Sequence, residues 1–178
     1  MTLQSQEIQQ QHSFFGFSDS SWNDDVDTGC STGCFIITYM GGIVDHSLNM
    51  PDPVALSSAE AEYNEGCVTF IAASHLRMLL CELEGIEESS IEATTMYFDS
   101  KSAMAMGNSH WDTKHTRHIM RYYVRNEIVA NRFTMKWIGT KFMISDKGTE
   151  QTPGPRHTFL VELIHIKVKD QRSLIQEG

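Results

Sequence analysis

Four carboxylates in this 178-residue chain each stand among small polar residues: Asp19 in GFSDSSW, Glu62 in LSSAEAEY, Asp99 in MYFDSKSA and Asp146 in MISDKGTE. Three of the four follow apolar runs that would bury them. A buried carboxylate is costly unless it is paired or metal-bound, so acids converging at the rim of a core call for a divalent cation, which takes oxygen donors. The chemistry open to such a set is displacement at phosphorus. Two ions would share the bridging phosphate, one activating water and the other stabilising the leaving oxygen.

Glu60 competes with Glu62 for the helical position. Residues two apart on a helix point about 200° apart, so only one of them can face the metals. Ser57 and Glu60 form an S-x-x-E capping box, which occupies Glu60 and leaves Glu62 for the ligand role. Asp24, Asp25 and Asp27 read as loop acids.

Positioning these acids needs strands that end at Asp19 and Asp99 and a helix that carries Glu62. Phe15 and Phe17 alternate into Ser18 and Asp19, as in a strand delivering its last side chain to a sheet edge. Cys34 to Met40 is a β-branched and aromatic run, and Gly41-Gly42 signals a hairpin into a third strand from Ile43 to His46. Pro51 and Pro53 end this meander. The capping box opens a helix running to about Leu83, apolar on both sides and so packed on both sides, with Gly85 as its stop. Tyr63, Cys67, Phe70, Ile71 and Met78 line one side of it, and Val68, Ala72, Leu76 and Leu79 the other. Thr94 to Phe98 reads as a strand ending at Asp99, then a short helix to about Gly107, a longer one over 115–130, and a fifth strand over Phe133, Met135 and Trp137. Thr158 to Val168 suits either a helix or an added strand. The sum is an α/β domain: a five-stranded mixed sheet, its first three strands antiparallel, flanked by helices, with a βαβ crossover from the first strand to the fourth.

Length and 40% hydrophobic content bound one core and one domain over residues 13–178, with the part after about 156 unassigned. Residues 1–12, Gln-rich and polar, read as a disordered leader or polyprotein linker. Apolar stretches broken well short of the roughly 18 residues a bilayer requires, and an N-terminus without an apolar signal region, predict no membrane and no secretion. Cys30, Cys34, Cys67 and Cys81 lack metal-site spacing and read as reduced thiols, in keeping with an intracellular, cytoplasmic setting.

Net charge is −9, yet its distribution is uneven. Residues 1–113 carry seventeen acids against Arg77 and Lys101, while residues 114–147 carry eight Lys/Arg against Glu127 and Asp146. Contacts to phosphate must therefore come mainly from the second segment and from bound metal. Lys114, Arg117, Arg121 and Arg125 recur at three- and four-residue spacing with His118 beside them, making a basic stripe opposite Ile119, Tyr122 and Tyr123. Lys141 adds a cation before the fourth acid, and Lys101 one after the third. Ser57, Ser58 and Ser100 flank the acids with hydroxyls suited to phosphate or to the 2′-OH that distinguishes RNA. Ser57 serves equally well as an N-cap alone.

The strings FSDSSWNDDVDTGCSTG, VALSSAEAEY, YFDSKSA, TKHTRHIMRYYVRNE and WIGT…ISDKGTE together resemble, in order and spacing, the ribonuclease H domain of copia-type LTR retrotransposon polyproteins, over about Phe14 to Arg156. The resemblance implies a ribonuclease-H-like fold and hydrolysis of the RNA strand of RNA–DNA hybrids during reverse transcription. It implies two Mg²⁺ ions held by Asp19, Glu62, Asp99 and Asp146, with Mn²⁺ able to substitute. It also implies a neighbouring reverse transcriptase domain and a setting in the cytoplasm or in virus-like particles. The pattern departs from the family at Ser21, Gly29, NMPDP and Asp99-Ser-Lys; the basic residues lost at Gly29 and NMPDP predict weaker hybrid affinity. No histidine lies between Gly139 and Ser145, which predicts slow turnover. The alternative is a noncatalytic hybrid-binding or tethering domain, whose mark would be loss of a metal ligand. An integrase-type core would carry its Glu last, whereas here it comes second.

Overall fold

In the computed structural model the described residues are 13–22, 30–49, 55–108, 117–149 and 153–165. Strands β1 (Phe14–Ser21), β2 (Thr32–Tyr39), β3 (Gly42–Asn49), β4 (Thr94–Phe98) and β5 (Phe133–Trp137) form one sheet in the order β3-β2-β1-β4-β5. β1, β2 and β3 pair antiparallel, and β1–β4 and β4–β5 pair parallel. This is the mixed sheet the sequence predicts, including the crossover that sets β4 beside β1.

Helix α1 (Ser58–Glu84) makes that crossover. Ser57 Oγ accepts from Glu60 N at 3.2 Å, while the Glu60 carboxylate accepts from Leu56 N at 2.7 Å. The reciprocal arm of the capping box thus lands one residue earlier than the N-cap itself. Gly85 closes the helix in the left-handed region at φ 63°, and its N–H returns to Cys81 O. Tyr63, Cys67, Phe70 and Ala73 pack with Phe35, Ile37, Met96, Phe98 and Phe133 to form the core on this face of the sheet. Among the described residues the helix is not covered to its end: Met78, Leu79 and Leu83 are exposed. By length and composition α1 would also pass as a membrane span, a property it shares with core helices generally. Buried Glu60, Glu62, Glu65 and Arg77 on a helix packed against β1 and β2 mark it as the latter.

Helices α2 (Lys101–Asn108), α3 (Arg117–Val129), α4 (Asp146–Thr149) and α5 (Gly154–His165) complete the chain, with 3₁₀ turns at Glu88–Ser90 and Thr140–Phe142. α3 lies on the α1 side, where Val124 enters the core and the Tyr123 hydroxyl donates to Ser74 Oγ at 2.6 Å. The opposite face carries a second, smaller core. There Phe15, Phe17, Ile36 and Tyr97 meet Ile138, Met143, Ile144 and Leu160. The segment left open as helix or strand is helical over Gly154–His165, and Leu160 of this helix packs into the second core.

Three boundaries differ from the expectations. β1 runs two residues past Asp19, since Asp19, Ser20 and Ser21 go on pairing with Cys34, Gly33 and Thr32. Asp19 is thus held inside a ladder rather than at a strand's last position. β3 extends to Asn49 instead of His46, following β2 through a bulge at Ile37–Thr38. The β2–β3 turn is Met40-Gly41, both at positive φ (51° and 82°), and Gly42 already belongs to the strand. The 1–12 leader, Asp24, Asp25, Asp27, Lys114 and residues 166–178 lie outside the described residues.

Candidate metal centre

Parallel register builds the first half of the centre. Phe17 of β1 stands opposite Tyr97 of β4, so Asp19 and Asp99, two residues beyond each, reach the same C-terminal edge. That edge is where open α/β sheets receive ligands. α1 begins beside it, and Glu62 in its first turns brings a third carboxylate. Oxygens of Asp19, Glu62 and Asp99 all lie within 4.8 Å of one another.

Three like charges so close need compensation. Glu62 is 9% exposed, and its pKa is pushed up to about 9 by burial first and then by Asp19, Asp99 and Asp146. Glu62 Oε2 is buried and accepts no hydrogen bond among the described residues. An orphaned carboxyl oxygen beside two further carboxylates fits a hard divalent cation, whose charge would displace its proton, and these three residues could hold one. Glu60, two residues earlier, accepts from Leu56 N at the start of the helix and is not among the three clustered acids.

Hydroxyls orient the ligands from outside. Thr149 Oγ1 donates to Asp19 Oδ2, and Thr140 Oγ1 donates to Asp99 Oδ2 at 2.9 Å. Thr149 is brought there by a close approach: a Cβ on Gly148 would lie 2.5 Å from Sγ of Cys34, the residue paired with Asp19 across β1–β2. Only glycine lets α4 settle over that strand pair. Neither threonine was singled out from the sequence, although Thr149 lies inside the DKGTE string.

Asp146, at 2% exposed, is close enough to raise the Glu62 pKa yet is not among the three clustered acids. Its Oδ2 accepts instead from Arg156 Nη2, in the first turn of α5. Sequence reasoning missed Arg156, which falls in the stretch left unassigned. It also missed Glu65, fully buried one turn after Glu62, its pKa pushed up to about 7 by burial and by Asp19. The Glu65 carboxyl takes the space that a Cβ at residue 33 would fill: such a Cβ would lie 2.0 Å from Glu65 Oε2.

The flanking residues divide. Ser57 Oγ caps α1 and Ser100 Oγ accepts from Ala103 N at 3.2 Å, so each hydroxyl has a structural task, and Ser58 is exposed at the start of α1. The Lys101 ammonium sits 4.8 Å over the Trp137 ring, whose Nε1 donates to Asp99 O at 3.0 Å. Lys141 lies over the rings of Phe142 and Phe159. Arg117, Arg121 and Arg125 all fall on α3, and Arg125 is exposed. All four cysteines are thiols, and burial first, then Glu65 and Asp19, push Cys34 up to about 12.

No family model matches the chain. It is 27% identical over 151 residues, 84% of its length, to the retrovirus-related Pol polyprotein from transposon TNT 1-94 of Nicotiana tabacum, of which it spans 11%. In fold it is similar to the N-terminal ribonuclease H domain of a Mycobacterium tuberculosis protein, solved as a fusion, with a TM-score of 0.52 at 12% identity over 84% of this chain and 96% of that one. Ribonuclease H1 of Halobacterium salinarum gives 0.52 at 12% identity over 77% and 93%. LC11 ribonuclease H1, solved with an RNA/DNA hybrid, gives 0.50 at 15% identity over 75% and 91%. The fold is that of ribonuclease H.

Proposed function

We propose that this chain, a ribonuclease-H-fold domain similar in sequence to a stretch of a retrotransposon Pol polyprotein, is the ribonuclease H domain of such a polyprotein and cleaves the RNA strand of RNA–DNA hybrids. The observation that carries this reading is the convergence of Asp19, Glu62 and Asp99 within 4.8 Å at one sheet edge of that fold. Asp19, Glu62 and Asp99 would hold Mg²⁺, or Mn²⁺ in its place, with Asp146 completing the set for a second ion. When bound, the metal supplies an activated water and neutralises charge on the phosphate and the leaving 3′ oxygen.

The chain's own residues position and exclude. Thr149 and Thr140 each hold one oxygen of Asp19 and Asp99, Oδ2 in both, so that the two carboxylates are fixed in orientation. Lys101, held on Trp137 beside Asp99, and Arg117, Arg121 and Arg125 on α3, with Lys114 before them, supply positive charge for the duplex backbone, and Lys141 does so beside the fourth acid. Exposed Ser58 and the caps Ser57 and Ser100 stand near enough in the chain to the acids to meet 2′-OH groups. The partner is the hybrid, with a reverse transcriptase domain adjacent in the polyprotein and the cytoplasm or a virus-like particle as the setting. A noncatalytic tethering domain would have no need of the retained acids.

A panel of strand-labelled duplexes with Mg²⁺ tests the reading. Cleavage confined to the RNA strand of the hybrid supports it. Equal cutting of duplex DNA, or none of the hybrid, contradicts it.

A further inference from the structure

The fourth acid is already engaged by a cation that belongs to the protein. Arg156 Nη2 donates to Asp146 Oδ2 and, at 3.2 Å, to Thr140 O. Thr140 in turn donates its hydroxyl to Asp99 Oδ2 at 2.9 Å. One chain of polar contacts therefore runs from Asp99 through Thr140 and Arg156 to Asp146, linking the acid after β4 to the acid that opens α4. α5 holds the arginine in place, because Leu160, one turn later, is fully buried in the smaller core.

We propose that Arg156 is a built-in counter-ion of Asp146, a positioning residue that holds this carboxylate in the metal-free chain and must yield it as metal loads. The inference rests on the metal-dependent reading above and deepens it. Asp146 is 2% exposed, and a buried carboxylate without a partner is strongly destabilising, so the metal-free fold needs a cation there. A guanidinium and a divalent ion served by one carboxylate repel each other, and each weakens the other by the same factor. Asp146 also acts on Glu62 electrostatically, so a metal held by Glu62 lies within the field of the Asp146–Arg156 pair. Arg156 thereby sets how readily the fourth acid joins the other three.

The test is Mn²⁺ binding to the full chain without nucleic acid, by calorimetry, beside thermal melts in EDTA and in Mn²⁺. Arg156→Gln should bind Mn²⁺ roughly five- to tenfold more tightly than the parent, while Arg156→Lys, which keeps the charge, should stay near it. Arg156→Gln should also melt lower in EDTA and gain more from Mn²⁺ than the parent does. Unchanged or weaker Mn²⁺ affinity, or a melting deficit equal with and without metal, would show that Arg156 is only a structural partner of Asp146 and overturn the proposal. Should Arg156→Gln not fold, it is made in an Asp146→Asn background, where no carboxylate at position 146 is left without its partner. Adding Arg156→Gln there should leave the melting temperature in EDTA unchanged, since the arginine then has no Asp146 charge to balance, and a clear melting loss would overturn the proposal as well. Asp19→Asn run in parallel separates the two levels. If it binds Mn²⁺ like the parent, the centre itself is wrong and the proposal falls with it; if it loses Mn²⁺ while Arg156→Gln gains nothing, the role of Arg156 alone falls.

Discussion

Asp19 and Asp99 each lie two residues beyond a register-matched pair, Phe17 on β1 and Tyr97 on β4, whose rings stack at 5.1 Å between centroids. The stack belongs to the smaller core, so the register that aligns the two acids is fixed by packing on the face away from α1. A slip of one residue would move every side chain of a strand to its other face and separate the acids. Weakening the stack should therefore damage the centre at a distance. Tyr97→Ala is expected to lower stability by about 3 kcal/mol and to weaken Mg²⁺ binding; denaturant titration and calorimetry check both, and metal binding at parental affinity would contradict the coupling.

The two glutamates at the start of α1 should behave oppositely. Glu62→Gln keeps the shape of a side chain whose charge is costly where it lies, so its metal-free form should melt no lower than the parent at about pH 8, yet gain nothing from Mg²⁺. Glu60→Gln should keep metal binding and activity, since glutamine can still accept from Leu56 N. Reversed effects would mean that Glu60 is the ligand.

Burial gives the metal-free protein a definite pH dependence. The folded chain holds protons on Glu62 and Glu65, with pKa values of about 9 and about 7, that the unfolded chain releases near the ordinary value of 4.5. Its stability should therefore fall as pH rises through that window. Metal held by Glu62 expels the proton there and should make the slope shallower. Melting temperatures measured in EDTA and in Mg²⁺ between about pH 5 and about pH 9 read this directly, and a flat profile in EDTA would show that the two carboxyls are not buried as described.

Arg121 and Arg125 lie on α3, an element that carries none of the four acids. Replacing both with Ala should raise KM more than it lowers kcat and should flatten the salt dependence of hybrid binding by roughly 0.7 to 0.9 in the log–log slope for each phosphate no longer neutralised. An unchanged slope would make the stripe a solvated face.

Much of this was legible in the sequence because each acid is flagged by its own element. The strand before Asp99, the capping box before Glu62 and the crossover between β1 and β4 are local patterns, and they suffice to place three carboxylates at one edge. What stayed hidden depends on tertiary approach. The role of Thr149 follows from Gly148 meeting Cys34, and the Glu65 carboxyl takes the space left at Gly33; neither approach has a periodic signature. Arg156 was hidden for another reason. α5 is helical because its apolar residues cap the far face of the sheet, and an apolar stretch of that length reads equally well as strand.

The central claim is that Asp19, Glu62 and Asp99 hold the metal with which this domain cuts RNA. Cleavage of a fluorogenic RNA–DNA hybrid, followed as Mg²⁺ is titrated into the parent, Asp19→Asn and Asp99→Asn, tests it most directly. The account predicts saturable, EDTA-abolished cleavage of the RNA strand by the parent and none by either variant, with both variants folded. Full activity in EDTA, or in either variant, would contradict it.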